Sequence, residues 1–291
     1  MFRGSIVALV TPFTAAGELN TEKVKELVKF HIEKGTSGLV PCGTTGESPT
    51  LSEQEKEQLF ETVVNEADGK IPVIAGTGTN DTAKSLKMTK FAKKIGADAA
   101  LVITPYYNKP TQEGLYRHFM HIADNVDLPI VVYNVPGRTS VNILPETVGR
   151  LSSHENIVAI KEASGNLGQI SEIRSRCGEH IAILSGDDNL TLPILSVGGK
   201  GVISVTANIV PDMISEMVQA FEKNDHTKAL SIHNRLETLN KVLFIETNPI
   251  PIKTAMNLMG FDMGGFRLPL CEMSRSHEEE LTKVLVNYDL I

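Results

Sequence analysis

Short apolar runs recur along this chain roughly every 20 to 35 residues, the spacing of repeated strand–helix units in a parallel sheet. They cover Ser5 to Val10, Gly38 to Pro41, Pro72 to Ala75, Ala99 to Ile103, Pro129 to Tyr133, Ile157 to Lys161, Ile181 to Leu184 and Gly201 to Val205. Eight such strands close a (β/α)8 barrel, so the expected fold is an α/β TIM barrel. Between the runs the period becomes helical. Val24, Leu27, Val28 and His31 fall at i, i+3, i+4 and i+7, with Asn20 or Thr21 as cap and Gly35 as stop. Ser52 followed by Glu55 forms a capping box that opens a helix ending near Gly69. Further helices fit Thr82 to Ile95, Gln112 to Asn125, Pro145 to Leu151, Leu167 to Cys177, Leu190 to Val197 and Pro211 to Glu222. After about residue 224 the alternation stops and the chain reads as helices only, with the prolines of Asn248-Pro249-Ile250-Pro251 suited to a helix entry. The expected organisation is a catalytic barrel over residues 1–223 and a small helical domain over residues 224–291, with no low-complexity linker between them.

A length of 291 residues accommodates one barrel of roughly 200 to 250 residues plus an appendage. Hydrophobic residues make up 41% of the chain, enough for a large core. The formal net charge of -7 leaves no basic footprint, which argues against nucleic acid or an anionic membrane as partner. Cys42, Cys177 and Cys271 are odd in number and widely spaced, a poor fit to a disulfide framework or a zinc ribbon and a good one to a reducing cytoplasm. The apolar stretch near the N-terminus is too short for a signal sequence, and no later segment is long enough to span a bilayer. A soluble cytoplasmic enzyme is the expectation.

Barrel enzymes carry their chemistry at the C-terminal strand ends. Those ends hold Thr11, Gly43-Thr44-Thr45-Gly46-Glu47, Gly76-Thr77-Gly78, Thr104-Pro105-Tyr106-Tyr107, Tyr133 to Arg138, Lys161-Glu162, Ser185-Gly186-Asp187 and Ser204-Val205. Lys161 closes the run Ile157-Val158-Ala159-Ile160-Lys161. An amine at the end of a buried strand is a candidate nucleophile, because burial disfavours the charged ammonium and the free amine can form a Schiff base with a carbonyl compound. Its bland alternative is a solvated lysine at a strand terminus. Strand parity points Lys161 the same way as Ala159 and Ile157, and Tyr133 the same way as Val131. If that way is inward, the phenol lies within hydrogen-bond reach of the amine and can shuttle protons for imine formation; otherwise Tyr133 is a packed ring with a wet hydroxyl. The Gly43 to Glu47 turn offers backbone amides and two hydroxyls suited either to a carboxylate or to one end of a proton relay. Arg138 sits in a loop held by Pro136 and Gly137, where its fork of donors could grip a carboxylate. Gly76-Thr77-Gly78 lacks the third glycine of a dinucleotide fingerprint, and Gly198-Gly199-Lys200-Gly201 is a tight turn rather than a P-loop. His118 and His121 share a helix without a further ligand cluster, so no metal is expected, and Cys42 reads as a small buried apolar residue.

Taken together, Gly43-Thr44-Thr45-Gly46-Glu47, Tyr106-Tyr107, Tyr133-Asn134-Val135-Pro136-Gly137-Arg138-Thr139, Lys161-Glu162-Ala163 and Asn248-Pro249-Ile250-Pro251 resemble the dihydrodipicolinate synthase family of pyruvate-dependent aldolases, over essentially the whole chain. The resemblance implies that Lys161 forms a Schiff base with pyruvate and that the derived enamine attacks L-aspartate 4-semialdehyde, with no metal or added cofactor. It implies a proton relay of Tyr133, Thr44 and Tyr107, the last reaching in from a neighbouring subunit. It assigns pyruvate's carboxylate to Thr45 and the main chain at Ile203, and the semialdehyde's to Arg138. It puts Gly186 at the pocket border and implies a homotetramer built from tight dimers. The sialic acid lyase branch lacks the equivalent of Arg138, which favours the synthase over a lyase acting on a longer 2-keto sugar acid.

One departure bears on regulation. Feedback-inhibited members place two histidines and an acidic residue where this chain has Glu53, Lys56 and Lys84, although Ser48, Asn80 and Tyr106 remain. Two ammonium groups repel an incoming lysine, so weak or absent lysine inhibition is expected. Outside the aldolases, a metal-dependent hydrolase would need ligands that the strand ends do not supply, and an idle regulatory barrel would not need both Lys161 and Tyr133.

Overall fold

The computed structural model describes residues 2–291. Eight parallel strands, β1 Gly4–Ala8, β2 Gly38–Val40, β3 Ile74–Gly76, β4 Ala99–Ile103, β5 Ile130–Asn134, β6 Ile157–Glu162, β7 Ala182–Ser185 and β8 Gly201–Ser204, follow one another around a single sheet in the order β2-β1-β8-β7-β6-β5-β4-β3. The seam between β2 and β3 is joined by a bridge between Leu39 and Val73, and the Leu39 amide donates to the Pro72 carbonyl at 2.9 Å. The sheet is thus a nearly closed TIM barrel, as the spacing of the apolar runs predicts. The strand over Ala99–Ile103 is as expected, and the ends of the others lie within two residues of the expected ones.

Two apolar layers follow from strand parity. Ile6, Ala8, Ile74, Leu101, Val131, Tyr133, Ala159, Leu184 and Ile203 form the inner cluster, while Val7, Leu39, Ala100, Val132, Ile160 and Ile183 pack outward beneath the helices. The parity reading fails at one residue. Ile130 pairs with Ile157 and Val131 with Ala159, so Val158 is an extra residue in β6. This bulge leaves Ile157 in the outer layer, whereas Ala159 stays inside with Tyr133 and Leu184.

The helices start where side chains satisfy free amides. Asn20 accepts from Lys23, Asp81 from Lys84, Thr111 from Gly114 and Asn166 from Gln169, and Ser52 with Glu55 forms the reciprocal capping box. Val24, Leu27, Val28 and His31 are buried, as their spacing predicts. Between β7 and β8 the expected Leu190 to Val197 helix is a turn at Asp188–Leu190 followed by a shorter helix, Thr191–Ser196. Past residue 224 the described residues form the helices His226–Val242, Ile250–Leu258 and Arg275–Asn287 and no strand. Their buried side chains, among them Leu236, Leu239, Ile252, Met256, Leu281 and Leu285, belong to the same apolar cluster as the barrel's outer layer. Among the described residues no helix is long and apolar enough to cross a membrane.

Candidate active site

β5 and β6 lie side by side in a register that sets Tyr133 opposite Lys161 and Asn134 opposite Glu162. The bulge sits N-terminal to this pairing, so the alternation of faces is intact where it matters. Tyr133 and Lys161 enter the barrel, and Lys161 is only 5% exposed. Its Nζ lies over the Tyr133 ring, 4.3 Å from the centroid. The expected neighbourhood of amine and phenol is present, but as contact with the ring face rather than as a hydrogen bond to the hydroxyl. Among the described residues Lys161 has no carboxylate in ion-pair contact. Gly186 is packed against it: its amide donates to the Glu162 carbonyl at 2.8 Å, and a Cβ at this position would meet the Ala163 Cβ at 2.7 Å and the Lys161 Cε at 3.2 Å. Ile203 on β8 faces inward in the same cluster.

A cavity of about 210 Å³ opens at the C-terminal strand ends, lined by Thr44, Lys56, Tyr106, Tyr133, Arg138 and Thr139 among others; Lys161 reaches it only through its contact with Tyr133 and is not itself in the lining, nor are Thr45, Gly186 and Ile203. Thr44 stands in a turn closed by the Gly46 and Glu47 amides, which donate to the Gly43 and Thr44 carbonyls at 3.1 Å each. Thr45 is buried beneath it, and its Oγ1 accepts from Asn248 Nδ2 at 3.1 Å. Arg138 belongs to a one-turn helix, Pro136–Thr139, rather than to the loop expected from the sequence. Pro136 fixes the first helical position and Ser140, in the left-handed region, ends it. The Arg138 guanidinium donates to the Asn248 carbonyl at 3.0 Å, which anchors it at the cavity rim. Tyr107 stands apart: at φ +73° it projects from the chain and is 90% exposed, while its neighbour Tyr106 lines the cavity. Cys42 also lines the cavity, yet burial pushes its thiol up to about 12, so it is a packing residue and not a thiolate nucleophile.

The Dihydrodipicolinate synthetase family model matches residues 1–288. The chain is 55% identical to the 4-hydroxy-tetrahydrodipicolinate synthase of Thermodesulfovibrio yellowstonii over 291 residues, all of both chains. Among solved structures it is similar to dihydrodipicolinate synthase from Aquifex aeolicus, at 52% identity, a TM-score of 0.98 and 99% coverage of both chains. It is also similar to a monomeric dihydrodipicolinate synthase variant, at 47% identity and a TM-score of 0.97, covering 100% of this chain and 98% of the other. This chain belongs to the dihydrodipicolinate synthetase family.

For a member of this family the site holds more carboxyl groups than its sequence motifs announce. Glu162, on the outer face of β6, is buried in a polar knot. It accepts from Asn134 Nδ2 at 3.0 and 3.2 Å, from the Ser164 amide at 2.8 Å and from Gln169 Nε2 at 3.1 Å. Burial raises its pKa and these bonds pull it back. Asp188 is fully buried and accepts from Ser204 Oγ, from the Val205 amide at 2.8 Å and from the Thr206 amide at 3.1 Å. That bonding pins the end of β8 to the turn after β7. It also explains why the helix expected from Leu190 begins as a tight turn. Asp187 has no hydrogen-bond partner for its carboxyl. Burial pushes it up to about 6 against the pull of the Lys161 amine, with Asp188 and Glu162 pushing the same way as burial.

The sign of that shift gives a stability test. A carboxyl raised from its ordinary value near 4 to about 6 favours the protonated form in the fold. The penalty is absent below about pH 4, grows as pH rises through about 6 and is complete above it. Asp187→Asn is expected to be more stable than the parent at pH 8, by up to about 2 kcal/mol, and equally stable at pH 4. Urea unfolding at both pH values measures this, and a variant that loses stability at pH 8 contradicts the assignment.

Proposed function

We propose that this chain condenses pyruvate with L-aspartate 4-semialdehyde through a Schiff base on Lys161, giving 4-hydroxy-tetrahydrodipicolinate in lysine and diaminopimelate biosynthesis. The observation that carries the reading is the buried, unpaired Lys161 amine set in register beside Tyr133 at adjoining strand ends. Nζ adds to the keto carbon of pyruvate, and the carbinolamine loses water to form the imine, each step moving a proton between nitrogen and oxygen. Tyr133 and Thr44 are the hydroxyls available for that traffic, both lining the cavity. Loss of a methyl proton gives the enamine, whose carbon attacks the aldehyde carbon of the second substrate. The semialdehyde's amine then adds to the iminium carbon and Nζ departs, so the ring closes and the enzyme is restored with one water released overall.

In this reading Thr45 and the main chain at Ile203 hold pyruvate's carboxylate, Gly186 leaves room for it beside Lys161, and Arg138 receives the carboxylate of the semialdehyde. No cofactor is required, since the iminium nitrogen is the electron sink. Residues 1–223 form the catalytic barrel and residues 224–291 a helical extension docked on it. The three free cysteines, with Cys271 exposed, favour the reducing cytoplasm as the compartment. The exposed Tyr107 completes the relay of a neighbouring subunit in a homotetramer made of two dimers.

Lys161→Ala is expected to abolish turnover. Borohydride reduction with pyruvate is expected to add mass to the peptide carrying Lys161 in the parent and none in the variant. Near-normal turnover by the variant would end this mechanism.

If Tyr107 acts across an interface, sedimentation of the parent finds an oligomer and Tyr107→Phe lowers kcat by roughly 10-fold or more. A fully active monomer would remove Tyr107 from the relay.

Lys56 lines the same cavity beside Ser48 and Tyr106, and Lys84 is exposed at the start of the helix capped by Asp81, so in this reading cationic side chains stand at the positions a lysine ligand would approach. Low-millimolar lysine is expected to leave the rate unchanged, and clear inhibition in a steady-state assay would contradict this.

A further inference from the structure

One pair of buried charges lies outside the chemistry described above. Glu47, the last residue of the Gly43 to Glu47 turn, and Lys253, on the Ile250–Leu258 helix, are both wholly inaccessible, and Nζ meets Oε1 at 2.8 Å. The ammonium also lies 4.1 Å from the centroid of the Phe13 ring and 5.4 Å from that of Phe266. The second carboxylate oxygen accepts from the Arg267 amide at 3.3 Å. Glu47 adopts φ +53°, a left-handed conformation that a non-glycine side chain holds only where its surroundings impose it. Its amide closes the turn on the Thr44 carbonyl, and its own carbonyl accepts from the amide and hydroxyl of Thr50 at 3.0 Å each. The carboxylate is therefore the fixed point of a turn whose other members are Thr44, facing the cavity, and Thr45, held by Asn248 from the segment just before the same helix.

We propose that Glu47 and Lys253 are positioning residues for the reaction, their ion pair setting the placement of the Thr44 and Thr45 hydroxyls relative to Lys161 from the C-terminal helical segment. The inference rests on the reading given under Proposed function. A pair retained for stability alone is often replaceable by neutral side chains of similar volume without loss, so its neutral replacement separates the two roles.

The double variant Glu47→Gln/Lys253→Met leaves no orphaned buried charge. It is expected to fold, judged by circular dichroism, yet to lose between about 10- and 100-fold in kcat, as misplacement of reacting groups by about 1 Å does. The rate of pyruvate trapping at Lys161 by borohydride should fall with it. Thr44→Val supplies the readout that a stabilising role would not move. If the pair acts through Thr44, removing the hydroxyl costs severalfold less in the double-variant background than in the parent. Should the double variant not accumulate as folded protein, Glu47→Gln/Lys253→Gln, which also leaves no buried charge unpaired, carries the same comparison. A folded variant with parental kcat, or a Thr44→Val effect equal in both backgrounds, overturns the inference. A parent that neither traps pyruvate nor turns over overturns the reading beneath it, and the inference with it.

Discussion

Two lysines are buried in this molecule, and only one of them has a carboxylate in contact. Lys253 is locked by Glu47 at 2.8 Å between two aromatic rings, which is how a charged amine is ordinarily tolerated inside a protein. Lys161 has no such partner. Its compensation comes at longer range from Asp187 and Asp188, both of which feel its charge, and from the face of Tyr133. An amine committed to a short ion pair has its donors occupied, and the proposed mechanism places the attack on the lysine that has no such pair. In the proposed reading, the difference in role between the two residues follows from which of them the fold leaves without a close counter-ion.

Leaving Lys161 in that state makes demands on the barrel around it. Interior layers of such barrels are usually filled by bulky branched residues. Here Ala8, Ala99, Ala159 and Ala182 occupy inner positions, and Ala159 and Ala182 are direct neighbours across β6 and β7, one step below the pairing of Lys161 with Leu184. Above, Gly186 supplies the missing volume against Lys161 Cε, a place where even a methyl group would force its neighbours apart. The result is a buried side chain with packed walls. The C-terminal segment then finishes the mouth. Asn248 spans from Thr45 to Arg138, and Arg267 reaches Glu55 at 2.5 Å and the Gly17 and Thr50 carbonyls, so the turn bearing Thr44 and Thr45 is held from the side opposite the barrel.

What the sequence discloses depends on how local the cause is. Period-two and period-3.6 patterns, caps and stops are written within a few residues of one another, and they mark the strands and most helices closely. Lys161 and Tyr133 are legible for the same reason, since each ends a run whose parity can be counted. The bulge at Val158 is not, because Val158 is as apolar as its neighbours and only the pairing with β5 shows that it is surplus. The one-turn helix carrying Arg138 is too short to display any period. Pairings across the whole chain are least legible of all: Glu47 and Lys253 are 206 residues apart, Thr45 and Asn248 are 203 apart, and nothing near either end announces the other. A charged residue in an otherwise buried motif, as Glu47 is within Gly43 to Glu47, is the one local sign that a distant partner must exist.

The arrangement of charge around the site bears on why a chain of net charge -7 should bind two carboxylate-bearing substrates. The cavity lining contains Lys56 and Arg138 and no aspartate or glutamate, so the entrance is locally cationic against the sign of the whole molecule. The carboxyls of Glu162 on β6 and of Asp187 and Asp188 in the turn after β7 lie outside that lining, and Asp187 and Asp188 both feel the charge of Lys161. In the proposed mechanism the protonated imine nitrogen carries a positive charge, and Asp187 and Asp188, which already couple to Lys161, stabilise that charge without having to move. The same groups that make Asp187 reluctant to ionise in the resting protein become favourable partners at the step where cationic nitrogen appears. Their absence from the cavity wall keeps this effect from repelling the substrates.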